Sequence, residues 1–251
     1  MKIQRIHEIE EYLKIKETAT LDELCQAFNV SKNTIRRDTK YLIDKGILEK
    51  VYGGVILKNN SLVSFEHREV TKLNEKTLIA KKSAEFIEPN DYIYIDSGTT
   101  TMNILDYIDQ TLPLTVITNN LDVINFAVEL ENVQLITIGN KYKKETRSFL
   151  ELNNSDILKS LNVNKAFMAS TGVSLKSGLT NSDILETRIK KAVSDKAETL
   201  FLLADDSKFD HATLSTYADL KEVDHIISGG ELPSKYIEYF SQNKINLELV
   251  Y

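Results

Sequence analysis

From residue 91 onward, short continuous apolar runs alternate with helix-patterned segments. The runs are Tyr92-Ile93-Tyr94-Ile95, Leu114 to Ile117, Val133 to Ile138, Ala166 to Ala169, Leu200 to Ala204, Val223 to Ile227 and Leu247 to Tyr251. Helical patterns fill Thr101 to Ile108, Leu121 to Leu130, Asp183 to Ala197 and Ser234 to Gln242. A strand that is apolar throughout has to be covered on both faces, and an intervening helix is what covers it. This alternation predicts an α/β domain built on a mostly parallel sheet.

In such sheets ligands gather where the strands end at their carboxyl side. The first run is followed by Asp96-Ser97-Gly98-Thr99-Thr100-Thr101, a small hydroxyl-rich loop that the pattern makes the start of a helix. Loops of that kind offer N–H and O–H donors to an anion, phosphate by preference; an N-capped turn explains the same residues. Thr118-Asn119-Asn120, Ser170-Thr171-Gly172, Gly178-Leu179-Thr180 and Asp205-Asp206-Ser207-Lys208 follow later runs. Several polar strand ends converging make a stronger case than any one alone. Glu186 and Lys190 stand four apart on one helix, the spacing of a surface ion pair.

The chain has 251 residues, room for a small domain and a larger one. No apolar run reaches the ~18 residues needed to span a membrane. The start of the chain is charged and amphipathic, unlike a secretion signal, and the lone Cys25 leaves no internal disulfide. A cytoplasmic protein is expected. The four histidines are scattered without metal-ligand spacing, so neither a metal nor a cofactor is expected. Net charge is −6. Residues 1–58 hold 11 Lys/Arg and 9 Asp/Glu, +2, which leaves −8 for the remainder. A basic head on an acidic body results, and charge distribution governs partners more than the sum does.

Ile3, Ile6, Ile9 and Leu13 recur at helical spacing. Thr18-Ala19-Thr20 breaks this first helix, and Thr20 caps a second with inner positions Leu21, Leu24 and Phe28. Ser31 caps a third that runs uninterrupted to Lys45, and Gly46 stops it. On a 100° wheel, Ile35, Thr39, Leu42 and Gly46 share one arc; Lys32, Asn33, Arg36, Arg37 and Lys40 lie nearly opposite. Four cations and an amide on a helix behind a short helix and tight turn suit the major groove of DNA. A solvated charged face is the plainer alternative. Alternation around Gly53-Gly54, from Ile47 to Leu57, reads as a hairpin, which completes a winged helix-turn-helix. Lys50, Tyr52 and Lys58 stand on or near the wing, within reach of the sugar-phosphate backbone.

The spacing Arg5-xxx-Ile9-xxx-Leu13, then Ser31-xx-Thr34-Ile35-Arg36-Arg37-Asp38, then Tyr52-Gly53-Gly54, resembles the DeoR family of bacterial transcriptional regulators. The likeness extends to Lys76-xx-Ile79-Ala80, Asp96-Ser97-Gly98-Thr99-Thr100, Thr118-Asn119, Gly178-Leu179-Thr180, Glu186-xxx-Lys190 and Ala204-Asp205-x-Ser207-Lys208-Phe209. Departures are Thr39 where the family has an aliphatic residue, Val55 after the glycines, Gly139-Asn140 in place of Gly-Gly, and no glycine after Ser148. The resemblance implies DNA contacts at Ser31, Thr34, Arg36 and Arg37, with Asp38 orienting an arginine. It also implies a sensor domain similar in fold to ribose-phosphate isomerases that binds a phosphorylated sugar or related metabolite. Ser97, Gly98, Thr99 and Thr100 would hold its phosphate, Lys190 and Lys208 would add charge, and Asp96, Asn119 and Asp205 would bond hydroxyls. Thr118, Asn120 and Gly172 join the candidate effector site by position; Arg68 is either structural or close to a bound anion, and the structural role is favoured.

The expected layout is a DNA-binding domain at 1–58, a connection at 59–75 and an effector-sensing domain at 76–251. The expected function is an operator-binding regulator, a repressor of a carbohydrate-use operon, acting as a homodimer or homotetramer on double-stranded DNA. Two rival readings are an aldose-ketose phosphate isomerase, with Asp96, Glu186 or Asp205 as acid or base, and a DNA-binding scaffold without a sensor.

Overall fold

A computed structural model describes residues 2–16, 18–51, 53–57, 65–151 and 160–251. The chain divides into two compact units, Met1–Ser64 and Phe65–Tyr251.

In the first unit, α1 (Lys2–Lys16), α2 (Leu21–Phe28) and α3 (Lys32–Asp44) pack around Ile9, Leu13, Leu24, Ile35 and Leu42. Thr20 caps α2 in a full capping box with Glu23. Ser31 Oγ accepts from the Thr34 N–H at 3.3 Å and starts α3. Gly46 takes φ +74°, the left-handed turn that ends the helix. Thr39 is buried on the expected arc and donates to the Ile35 carbonyl at 2.8 Å. Its hydroxyl is thereby satisfied, so the departure from an aliphatic residue leaves no orphan polar group. Asp38 is also buried and accepts from Arg5 Nε at 2.7 Å, which clamps α1 to α3. The hairpin consists of β2 (Leu48–Val51) and β3 (Gly54–Leu57). Residues 18–20, read from sequence only as a helix break, form a strand, β1 (Thr18–Thr20), that pairs with the outer edge of β3.

In the second unit, residues 65–75, read as part of the connection, carry α4 (Phe65–Val70) and the first turn of α5 (Leu73–Ala84). The central sheet has seven strands in the order β15-β14-β12-β9-β4-β5-β6. They are β4 (Tyr92–Ile95), β5 (Leu114–Thr118), β6 (Val133–Thr137), β9 (Val163–Ala169), β12 (Ala197–Asp205), β14 (His225–Gly229) and β15 (Asn246–Val250). Every neighbouring pair is parallel. Strand side chains alternate between faces: Tyr94 enters one buried cluster, while Ile93 and Ile95 enter the other. The helices α6 (Leu121–Ala127), α7 (Ile184–Ser194) and α8 (Ser234–Gln242) complete the layers.

Two smaller sheets escaped the sequence reading. One is the hairpin of β7 (Lys141–Lys143) and β8 (Ser148–Leu150); the other joins β10 (Gly172–Ser174), β11 (Gly178–Asn181) and β13 (Ser215–Ala218). The segment expected as a helix from Thr101 to Ile108 is instead a series of turns leading to a 3₁₀ turn, Ile104–Tyr107.

Candidate functional site

The order of the seven strands reverses at β4. The chain steps from β4 to β5 and β6 on one side, then returns to β9 and β12 on the other. A crevice opens at such a switch point, outside the carboxyl ends of the strands. Here it is bounded by the loops after β4 and β9, and Gly98 lets them meet. A Cβ at Gly98 would overlap the Cβ of Ala169.

The cleft encloses about 470 Å³, open space at its mouth included, and is lined by Arg68, Ser97–Thr100, Ala169–Thr171, Asn181, Glu186, Lys190 and Lys208. Because no regular helix follows β4, no helix dipole acts on this loop. The donors are local: the N–H groups of Gly98, Thr99 and Thr100 have no acceptor among the described residues. Thr101 turns inward, its hydroxyl donating to the carbonyls of Asp96 (2.7 Å) and Gly98 (2.9 Å), and this fixes the loop.

One wall comes from α7. Asp183 caps it, accepting from the N–H groups of Leu185 (2.8 Å) and Glu186 (3.0 Å). The spacing of Glu186 and Lys190 suggested a surface ion pair. Both are buried, and each has other partners. Lys190 Nζ donates to Asp96 Oδ2 and, at 3.0 Å, to the Ala169 carbonyl. Glu186 accepts from Asn181 Nδ2 at 2.8 Å and from Ser148 Oγ at 3.3 Å. The cleft thus holds three cations and one carboxylate. A fourth cation, Lys76, is buried nearby on α5 and donates to the Arg68 carbonyl. Burial pushes it down to about 8, with Asp205 pulling the other way and Lys208 and Arg68 adding to the fall. Burial likewise holds the Tyr94 and Tyr217 phenols neutral, well above their usual range.

Of the effector positions expected from sequence, Ser97, Gly98, Thr99, Thr100, Lys190 and Lys208 line the cleft. Asp96 lies behind it, holding Lys190 and the Ala169 N–H. Thr118 donates to the Ile95 carbonyl at 2.6 Å. Asn119 accepts from Tyr94 Oη and donates to the Phe149 carbonyl. Asn120 caps α6. The Gly172 carbonyl accepts from Ser170 and Thr180, and Asp205 accepts from Ser207. These six are not among the lining residues, and each already holds at least one protein hydrogen bond. Arg68, read as structural, does line the cleft, as do Asn181 and Glu186. The segment Glu186-xxx-Lys190 was the sequence signal for part of this wall; for Arg68 an approach to an anion was the less favoured alternative, and nothing marked Asn181.

On α3, Asn33, Arg36, Arg37 and Lys40 are exposed, opposite buried Ile35, Asp38, Thr39 and Leu42. Thr34 is half-buried and bonds Ser31 Oγ at 2.9 Å. Lys32 is exposed and pairs with Asp22 at 2.6 Å. Lys50 is exposed on β2, and Tyr52 and Lys58 lie outside the described residues. Among the described residues no helix is long and apolar enough to cross a membrane, and no three His, Cys, Asp or Glu group to hold a metal.

The family model described as the DeoR-like helix-turn-helix domain matches residues 5–61. The one described as the DeoR C terminal sensor domain matches residues 71–230. The chain is 49% identical over 250 residues to the HTH-type transcriptional regulator IolR of Bacillus subtilis, covering 99% of this chain and 100% of that one. It is 32% identical over 246 residues to the lactose phosphotransferase system repressor of Lactococcus lactis, covering 96% of each. A ribose 5-phosphate isomerase structure from Methanocaldococcus jannaschii overlays 55% of each chain with a TM-score of 0.41 and 17% identity. With the sequence matched from its helix-turn-helix through its sensor sheet, the chain belongs to the DeoR family of transcriptional regulators.

Proposed function

We propose that this regulator represses a carbohydrate-use operon and that a phosphorylated sugar in the sensor cleft controls its grip on the operator. The observation that carries the reading is the loop Ser97–Thr100, whose Gly98, Thr99 and Thr100 N–H groups have no acceptor among the described residues, lining a cleft that also holds Arg68, Lys190 and Lys208. Backbone donors and fixed cations around a small concave site suit a phosphate dianion. Glu186, held by Asn181 and Ser148, suits a sugar hydroxyl. In the first unit Arg36 and Arg37 point to solvent from α3, free to bond guanine edges or phosphates. A homodimer or homotetramer would set two such helices on two half-sites, and the working location is the cytoplasm. The sugar shifts DNA binding by its difference in affinity for the two arrangements of the protein.

The test is a thermal-shift screen of phosphorylated sugars, followed by gel shifts on DNA upstream of the chain's own operon. A sugar phosphate at 100 times its Kd adds ~2.7 kcal/mol of stability, and the same compound changes operator affinity. A screen in which no phosphorylated sugar stabilises the protein removes the sensor reading. Glu186 also gives the enzyme reading its one candidate base in the cleft. Appreciable turnover of ribose 5-phosphate would favour an isomerase; the proposed function expects none.

A further inference from the structure

One side of the cleft is built by the segment that follows directly from the DNA-binding unit, not by a strand end. Arg68 lies on α4, and α4 begins at Phe65, the first residue of the second unit. With six residues α4 is too short to hold its shape alone, so its contacts set its place. Lys76 Nζ satisfies the Arg68 carbonyl, one of the open acceptors at the end of the helix. The Phe65 ring is buried with the guanidinium of Arg68 at 5.5 Å and that of Arg147 at 5.8 Å. Between α4 and α5, Lys72 takes a left-handed φ of 53° and pairs with Glu75 at 3.0 Å and with Asp206. Asp206 opens the 3₁₀ turn that ends in Lys208.

Residues 65–76 are therefore fastened to the sensor at two points, and both lead into the cleft. Arg68 reaches it directly; Lys72 reaches it through Asp206 and the turn bearing Lys208. Arg68, Lys208 and buried Lys76 are like charges gathered on one side, and an anion between Arg68 and Lys208 offsets their repulsion. We propose that Arg68 reads the anion of the effector and that the bend formed by α4 and the start of α5 transmits occupancy of the cleft to the preceding DNA-binding unit. This rests on the reading of the cleft as a phosphate site. A guanidinium can take two phosphate oxygens at once, so binding would draw α4 toward the loop Ser97–Thr100.

Hydrogen–deuterium exchange on the full chain, with inorganic phosphate and with glucose 6-phosphate as probes, tests it. Amides of 97–101 and of 65–70 both slow when a probe binds. In Arg68→Gln, binding weakens roughly tenfold to a hundredfold, as for a lost charged hydrogen bond; at saturation 97–101 still slow, but 65–70 no longer respond. In Lys72→Met, which releases Asp206 and the turn bearing Lys208, the response at 65–70 at saturation shrinks relative to that at 97–101. Slowing at 97–101 without change at 65–70 in the unmodified protein overturns the transmission role and leaves the phosphate site standing. Arg68→Gln titrating like the unmodified protein does the same. Slowing at neither segment with either probe removes the phosphate site and this inference with it.

Discussion

Replacing Lys190 by methionine removes one charge of a buried pair and leaves the other in place. The two side chains are 5% and 1% exposed. Without the ammonium, Asp96 keeps the Ala169 N–H at 3.0 Å on Oδ2, while Oδ1 is buried without a partner. Stranding a charge in such a place costs about 3–5 kcal/mol. Asp96→Asn strands the ammonium instead, with the Ala169 carbonyl as its remaining acceptor, and falls in the same range. The double variant carries neither charge and returns to within about 1–2 kcal/mol of the parent, since exchanging a whole buried pair for neutral groups is often close to neutral. Scanning calorimetry of the full chain is the assay. For a unit of this size each kcal/mol moves the midpoint by roughly 2–4 °C, so each single variant lowers the sensor transition by roughly 6–20 °C. The DNA-binding unit, which lacks both residues, serves as the internal reference. Single variants shifting by less than about 2 °C, or a double variant that loses the sum of the two, would refute the buried-pair argument.

Three further outcomes are expected. Arg36→Ala or Arg37→Ala weakens operator binding by roughly 1–3 kcal/mol where the side chain reads a base; parent-like gel shifts for both would end that role. Gly98→Ala forces the β4 and β9 loops apart, because the backbone of Ala169 is held by Asp96 and Lys190 and cannot retreat. It abolishes the sugar-phosphate thermal shift while gel shifts stay normal, and an intact thermal shift would contradict the packing. Lys76 titrates near 8 in the folded chain against 10.5 unfolded. Between those values the unfolded chain holds the extra proton, so folding gains stability as pH rises from about 8 to 10.5, and below 8 the full penalty applies. Relative to Lys76→Met, the parent therefore gains up to ~1.4 kcal/mol per pH unit in that window; a difference that calorimetry finds flat between pH 7.5 and 9.5 would exclude it.

Much of this was legible because local chemistry decided it. Thr20, Ser31 and Gly46 mark helix ends by capping rules that need no distant partner, and the arc of Arg36 and Arg37 follows from helical period alone. The apolar runs announced a parallel sheet for the same reason. What stayed hidden depends on contacts far along the chain. Thr18–Thr20 is too short to show alternation, and only β3, 36 or so residues later by pairing, makes it a strand. Asn119 has the composition of a ligand contact, yet Tyr94 and Phe149 consume its amide. Glu186 and Lys190 have the right spacing for a pair, but burial sends each to a different partner. Arg68 sits in a charged segment whose local pattern allows either a structural role or an approach to an anion, and only the fold puts it on the cleft.

Strand β3 is hydrogen-bonded along both edges, to β2 and to β1. At Gly54 a side chain would collide with the Ala19 backbone, so the hairpin is stitched tightly against the start of α2. Held this way, the wing is locked to the entry of α2 like one jaw of a caliper, and α3 packs on the same core. Under the proposed function, a metabolite bound in the sensor cleft would have little scope to reshape either part. It would act on the DNA-binding unit as a whole, by resetting the spacing or tilt of such units in the proposed dimer or tetramer.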